Sequence, residues 1–452
     1  MPRAIRLGVI GAGSATFSVG LVRDVCLAKS LAGSHVTLMD VDRERVEIMH
    51  RFAQRYAKEL GAEVTFECTT DRERALAEAD YVINTAQVGG HSQVEQLRAW
   101  QQEQGYYRGM WMHRIIQVRM MVSVARDMER LCPKAWLIQA SNPVFEGCTA
   151  MTRATGVKVC GICHGHYHYR EVARRIGLDP DKVKAQAVGF NHEIWLTHFE
   201  YEGRDAYHLI DEWVAKESEK LYADYHPSYG DNQMSRAAVE LYKLTGLFPI
   251  GDTPRRGGWW FHTDPATKQR WYGEPLGGFD SEPGWGIYLK ELEEEVGRIH
   301  RAVADGTTKL TEVFRPRPTG EQHFPLIDAL ENDNEAELQV NVPNRGAIEG
   351  VPDDVVVEVP AKCSIRGIQP LHVGRLPEAV MLTHLYPRLL EAERLVSLAL
   401  RPDERVLMSF VLDDHRTKSW EQAARFVREA LARPEFAEVA AEMKRPKHPF
   451  RV

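Results

Sequence analysis

Residues 5–16 read IRLGVIGAGSAT, and residues 35–40 read HVTLMD. The first is an apolar run closed by Gly11-Ala12-Gly13-Ser14, and an amphipathic stretch from Ala15 to Ala32 follows, so it predicts strand, tight turn and helix. The second run ends in Asp40 and leads into another amphipathic segment, Asp42 to Leu60. Short apolar runs recur at Val64 to Cys68, Tyr81 to Thr85, Ala135 to Gln139 and Val157 to Ile162, with helical patterns at Glu73 to Glu78 and Ile115 to Leu131. Repeated β then α predicts an α/β fold with a Rossmann-type, doubly wound parallel sheet.

The character changes beyond Leu178. DPDKVKAQAVGFNHEIWLTHFEYEGRD reads as alternating strands with polar turns. The expected division is a nucleotide domain over 1–178 and a mixed α+β domain over 179–452 that carries substrate, metal and oligomer contacts. A Gly-, Pro- and Trp-rich stretch from Gly246 to Gly286 has little periodicity and is expected to be a functional loop. Glu337 to Arg366 predicts antiparallel strands joined by Asn-Arg-Gly and Pro-Asp-Asp turns, and Leu376 to Leu400 predicts a helix. No internal repeat is present.

Lysine and arginine number 57 against 64 aspartates and glutamates, a net charge of −7, with 44% apolar and 27% charged residues. That balance is ordinary for a globular protein and offers no basic surface for phosphates, so nucleic acid is not an expected partner. No stretch approaches the ~18 apolar residues of a membrane helix. The opening MPRAIRLGVIGAGS runs straight into a strand, which leads us to expect a cytoplasmic protein. The seven cysteines are sparse and mostly sit in apolar runs, so reduced thiols are expected.

Gly11 and Gly13 would let the backbone turn sharply beside Ser14 and approach a pyrophosphate at the N-terminus of the next helix. Asp40, ending the second strand, can accept from a ribose 2′-hydroxyl and would repel a 2′-phosphate, which favours NAD over NADP. Thr16 replaces the third glycine of the usual fingerprint, and Asp40 lies further on than its usual spacing. A second constellation, Cys163-His164-Gly165-His166, follows the last strand of the sheet, where ligands of open α/β folds bind. Gly189-Phe190-Asn191-His192 supplies another imidazole. On spacing alone, Cys163 and His192 read more readily as a buried thiol with a core histidine than as a metal pair, and the spacing decides little.

These motifs resemble glycoside hydrolase family 4, the NAD- and Mn-dependent glycosidases. The resemblance runs from VIGAGS and LMDVDRERVE through VINTAQVGG and SNPV to CHG, GFNH, NVPNRGAIEGVPDDVVVEVP and GIQPLHVGRLP. It implies a nucleotide domain like that of lactate and malate dehydrogenases and a hydrolysis outside the two-carboxylate scheme. In the implied chemistry NAD takes a hydride from C3 of the sugar, a base removes the C2 proton, and the C1 substituent leaves. Water then adds and the hydride returns, while a divalent metal acts as Lewis acid on the sugar oxygens.

The resemblance also implies residue roles. Cys163 and His192 would be the protein ligands of Mn²⁺, although a thiolate and imidazole pair by softness alone would favour zinc. Asn142 of SNPV would hold substrate hydroxyls, and Asn84 and Gly89 would lie at the nicotinamide ribose. His164 would protonate the leaving oxygen, and Asp252 falls in the loop that carries the family's base, with His166 and Tyr167 as rivals. CHG resembles the uronidase branch, and the CHGH-Y form resembles its α-galacturonidases. The expected partner is therefore a sugar-acid glycoside, an α-galacturonide, with an α-glucuronide or another α-glycoside as alternatives. Its C6 carboxylate would need a cationic or donating pocket, for which Arg255, Arg256 and His166 are candidates. A homodimer or homotetramer is implied. The competing reading from another class, an NAD-dependent 2-hydroxy-acid dehydrogenase, requires a catalytic histidine with an aspartate partner and a substrate-binding arginine, an arrangement CHG and GFNH do not supply.

Overall fold

The computed structural model of the protein describes residues 3–107, 112–223, 233–255, 266 and 282–444. Strand β1 (Arg6–Ile10) is buried from Leu7 onward and lies between β2 (His35–Met39) and β4 (Tyr81–Asn84), parallel to both. Strands covered on both faces are apolar throughout rather than alternating, which is why LGVI and YVIN read as continuous runs. β3 (Thr65–Thr69) pairs with β2, while β5 (Trp136–Gln139) and β6 (Lys158–Gly161) continue beyond β4. The parallel order β3-β2-β1-β4-β5-β6 reverses direction between β1 and β4, and this opens a crevice beyond the carboxyl ends of the strands. The doubly wound sheet expected from the sequence is present.

Helices α1 (Ala15–Leu27), α2 (Arg43–Leu60), α3 (Arg72–Leu76), α4 (Gly90–Glu103), α5 (His113–Leu131) and α6 (Val144–Ala154) make the crossovers. α4 and α6 were not anticipated. In α6 every residue from Val144 to Met151 is buried, Glu146 and Thr149 included.

The sheet does not stop at β6. β7 (Val183–Phe190) and β8 (Glu193–Tyr201) form an antiparallel hairpin, flanked by β9 (Arg204–Asp205) and β10 (Phe248–Ile250). β11 (Ala336–Pro343) and β12 (Val356–Ser364) pair antiparallel, with β13 (Gly367–Pro370) on β12. Single pairings join these pieces, Gly161 with Asn341 and Glu358 with Gly189, so the thirteen strands among the described residues form one sheet.

Beyond residue 178 the chain divides between two cores. Val183, Ile194, Phe199, Ile210, Ala238 and Phe248 form a smaller cluster, whereas Leu310, Phe314, Leu395, Phe426 and Val439 join the large core of the parallel sheet. The seam is polar as well as apolar. Tyr56 of α2 donates to the Phe314 carbonyl at 2.8 Å, and Phe52 packs edge-on against the Phe314 ring with centroids 5.3 Å apart. Phe52→Ala should cost about 3–5 kcal/mol through the cavity it leaves, and Tyr56→Phe about 1–3 kcal/mol through an orphaned carbonyl. Thermal unfolding should therefore show the larger loss of Tm for Phe52→Ala, and a Tm equal to wild type in either variant would refute this packing.

Candidate active site

The loop after β1 is pressed against its neighbours. Gly11 has φ +87°, and a Cβ there would strike the backbone of Ala86. A Cβ on Gly13 would meet Asp40 Oδ2 at 2.7 Å. Asp40 itself accepts from the Gly13 amide at 2.8 Å and from the Asp42 amide at 3.0 Å, so its carboxylate closes the loop at the mouth of the crevice. Ser14 is exposed at the N-cap of α1 without a side-chain cap, which leaves the first-turn amides of α1 for a ligand. Gly89, left-handed at φ 69°, caps α4 on the opposite rim.

Asn84 departs from expectation. It is fully buried, donates to Gln139 Oε1 at 2.9 Å and accepts from the Ala86 amide at 3.2 Å. Its carbonyl receives the amides of Ala140 and Ser141. Asn84, expected at the nicotinamide ribose, thus has its side chain buried and holds the turn that leads to the exposed Asn142.

Two turns from opposite halves of the sheet meet beyond β6. Cys163 and His164 follow the strand directly, and Gly165–His168 forms a 3₁₀ turn. Gly251, which follows β10, lies so close to this turn that a Cβ on it would sit 3.2 Å from the Gly165 carbonyl. Thr253 secures the second turn by bonding both the amide and the carbonyl of Ile194, at 2.7 and 2.9 Å. The consequence is that Asp252 arrives beside His192, which occupies the β7–β8 turn with a left-handed φ of 65°. His192 Nδ1 lies 3.0 Å from Asp252 Oδ2, and Asp252 Oδ1 pairs with Arg255.

Burial works against a charged His192, but the Asp252 carboxylate and Cys163 outweigh it and push its pKa up to about 10. Burial likewise opposes ionisation of Asp252, yet Arg255 and His192 hold it well below the usual carboxylate range. An aspartate so committed is a poor proton acceptor. Asp252, expected as the base, is thus paired with both His192 and Arg255, and Arg255, expected at a substrate carboxylate, is paired with Asp252.

His192 Nδ1 being taken, Nε2 is the nitrogen left to ligate, with Cys163 within hydrogen-bonding reach of the same ring. This carboxylate–histidine arrangement is the one that orients imidazoles toward metals. Among the described residues no group of three or more His, Cys, Asp or Glu side chains is gathered to hold a metal. A two-ligand site suits an ion that takes its remaining ligands from substrate.

The other histidines of the motif differ from one another. His166 Nδ1 lies 3.1 Å from the Cys163 carbonyl, which can only accept, so Nδ1 carries the proton and Nε2 is bare. Burial lowers its pKa to about 4. It is neutral near pH 7 and can accept from a hydroxyl but cannot supply positive charge to a carboxylate. His164 is two-thirds exposed within the crevice, and its Nδ1 lies 3.2 Å from Glu321 Oε1. The Glu321 hydrogen bond raises its pKa to about 9 in spite of desolvation. Arg256 and the aromatic run Trp259, Trp260 and Phe261 lie outside the described residues.

Several residues of the site had no sequence signal. Glu321 sits in TGEQH, far along the chain from His164, and only the fold joins them. Glu358 of β12 accepts from Asn191 at 2.8 Å beneath the His192 turn, and its burial pushes it up to about 7.

Because His164 is raised, its pairing stabilises the fold fully below pH 6.5, the ordinary value, and that contribution is lost as pH rises through about 9. In metal-free protein, Glu321→Gln should move the His164 titration, followed by NMR, from about 9 back toward 6.5. An unmoved titration would mean that Glu321 is not its partner.

A model of family 4 glycosyl hydrolases matches residues 6–178, and a model of that family's C-terminal domain matches residues 187–417. An α-galactosidase of Bacillus subtilis strain 168 is 25% identical over 451 residues, covering 91% of this chain and 93% of its own. An α-galacturonidase of Lachnoclostridium phytofermentans is 22% identical over 445 residues, covering 92% of each. The crystal structure of a 6-phospho-α-glucosidase from gut microorganisms, in complex with NAD and Mn²⁺, matches with a TM-score of 0.74 at 18% identity over 98% of this chain and 99% of its own, a likeness of fold. With both family models matched in order along the chain, this protein belongs to family 4 of the glycosyl hydrolases.

Proposed function

We propose that this family 4 enzyme hydrolyses α-galacturonides with NAD and Mn²⁺. The observation that carries the reading is the meeting of Cys163, His192 and Asp252 beyond β6, in the same sheet whose β1 ends in the Gly11–Gly13 loop. When bound, NAD supplies a reversible hydride acceptor and Mn²⁺ a Lewis acid beside the sugar oxygens. Cys163 and His192 would hold the ion, and Asp252 keeps the His192 ring turned toward it. The amides after Gly11 and Gly13, with Ser14, would hold the pyrophosphate, with Asp40 at the adenosine ribose and Gly89 at the other rim.

Asn142, exposed on its turn, orients the sugar hydroxyls, and His166 accepts from one of them. His164 holds a proton through neutral pH and gives it to the leaving oxygen. A uronide carboxylate finds its positive charge in His164 or in Arg256, since Arg255 is spent on Asp252. The CHGH motif and the Lachnoclostridium relative's name support the galacturonide. The name of the Bacillus relative supports a second reading, an α-galactoside cleaved by the same groups. The glycosidase family argues against the dehydrogenase reading, and Arg255, the arginine beside the His192–Asp252 pair, is engaged with Asp252. The soft ligand pair would also accept other divalent ions, and the family's dimers or tetramers are the expected assembly.

The test is to incubate the reduced protein with NAD, Mn²⁺ and either an aryl α-galacturonide or the matching α-galactoside in D₂O. Proton NMR should show the uronide cleaved faster and deuterium at C2 of the released sugar, because a protein base removes the C2 proton and solvent returns one. Release without deuterium would mean direct displacement. Faster cleavage of the galactoside would move the assignment to the second reading.

A further inference from the structure

Beneath the His192 turn lies a buried set of charges that the chemistry above does not use. Glu193, the residue after His192, is 1% exposed, and its Oε1 lies 3.2 Å from Nδ1 of the buried His384. Its Oε2 faces Arg388 Nε at 3.8 Å. Arg388, itself 6% exposed, donates through Nη2 to Glu146 Oε1 at 2.7 Å and through Nη1 to Glu391 Oε2 at 3.3 Å. Glu146 is in the first turn of α6, four residues after Asn142. The guanidinium also sits 5.0 Å from the Phe145 ring, which stacks on Phe190, two residues before His192, with centroids 4.4 Å apart.

His384 and Arg388 are four residues apart on one helical face. The turn that carries His384, Met381–Leu385, is π-helical, a local form found mostly as single turns and often at functional sites. Arg388 follows in the helix Tyr386–Leu400. One side chain from the C-terminal part of the chain therefore reaches both the turn that bears His192 and the helix that begins at Asn142.

A buried ion set of this kind is poor evidence for stability, because desolvation costs about as much as the charges regain. Nor is Arg388 needed to join the two helices. At the far end of α6, Arg153 already binds Glu393 of the same helix in bidentate fashion, with both contacts at 2.8 Å. What Arg388 adds is the reach to Glu193. We propose that Arg388 is a positioning residue that fixes the His192 turn against the Asn142 turn, and so sets the metal side of the crevice against the nucleotide side. The inference rests on the metal reading given above.

Arg388→Lys keeps the buried positive charge but not the fork that spans three carboxylates. Mn²⁺ binding, read from the EPR signal of the free ion, should weaken about tenfold, as it does when partners behind a metal ligand are removed. The kcat should fall by about tenfold or more from a displaced turn, with NAD affinity by fluorescence titration unchanged. Arg153→Lys, which loosens the same helices away from the site, should lower Tm and leave Mn²⁺ affinity and kcat at wild-type values. Equal Mn²⁺ affinity in Arg388→Lys and wild type, or equal weakening in both lysine variants, would overturn the proposal. Should Arg388→Lys fail to fold, Glu193→Gln, which keeps the side-chain shape, should weaken Mn²⁺ in the same direction, and unchanged affinity there would overturn it as well. Wild-type protein that binds no Mn²⁺ would instead overturn the metal reading and this inference with it.

Discussion

The site depends on the close approach of two glycine turns, Gly165 after the last parallel strand and Gly251 after a strand of the antiparallel half. A Cβ at Gly251 would lie 3.2 Å from the Gly165 carbonyl, tighter than an ordinary contact, and the φ of 65° there also favours glycine. With both turns bare, the thiol of Cys163 and the imidazole of His192 come from different sheet regions to one place. The single pairings Gly161–Asn341 and Glu358–Gly189 serve the same end, since they carry one sheet through the junction and leave its strand ends facing the crevice.

Charge then makes that junction specific. Cys163, His192, Asp252 and Arg255 form a graded line in which each group limits what the next can do. Arg255 and His192 keep Asp252 ionised, Asp252 pairs with the ring of His192, and Cys163 lies within hydrogen-bonding reach of that ring. His192 holds a left-handed backbone conformation, a strain of about 1–3 kcal/mol for a side chain of this kind that the surrounding contacts must offset. Thr253 on Ile194, Glu358 on Asn191 and Arg388 toward Glu193 are the contacts that do so. His164 has a carboxylate of its own in Glu321, while Cys163 and Asp252 add to the same upward pull on its pKa.

Much of this was legible in the sequence because it rests on local rules. Doubly covered strands are continuous apolar runs, so β1, β2, β4, β5 and β6 could be placed, and Gly11 and Gly13 announce a turn that only small residues fit. Cys163 and His192 were legible as candidates through their motifs, and the two family models confirm the family that those motifs resemble. Helix α6 was not read from the sequence, although Glu146, Thr149 and Arg153 keep a helical spacing. Glu321 and Arg388 lay hidden for a physical reason. A charged residue in a polar loop or in a helix has the same sequence signature whether it faces water or a buried partner, and only the path of the chain brings Glu321 to His164 and Arg388 to Glu146. The partners of Asn84 and Asp252 were hidden on the same ground, Gln139 and Ala86 for the first and His192 and Arg255 for the second.

The most direct test is anomalous diffraction at the manganese edge from a crystal grown with Mn²⁺ and NAD. One peak between Cys163 Sγ and His192 Nε2, with Asp252 still on Nδ1, is the expected result. A peak on other residues, or a His192 ring turned away from Cys163 in the presence of the ion, would contradict a site built by the meeting of these turns.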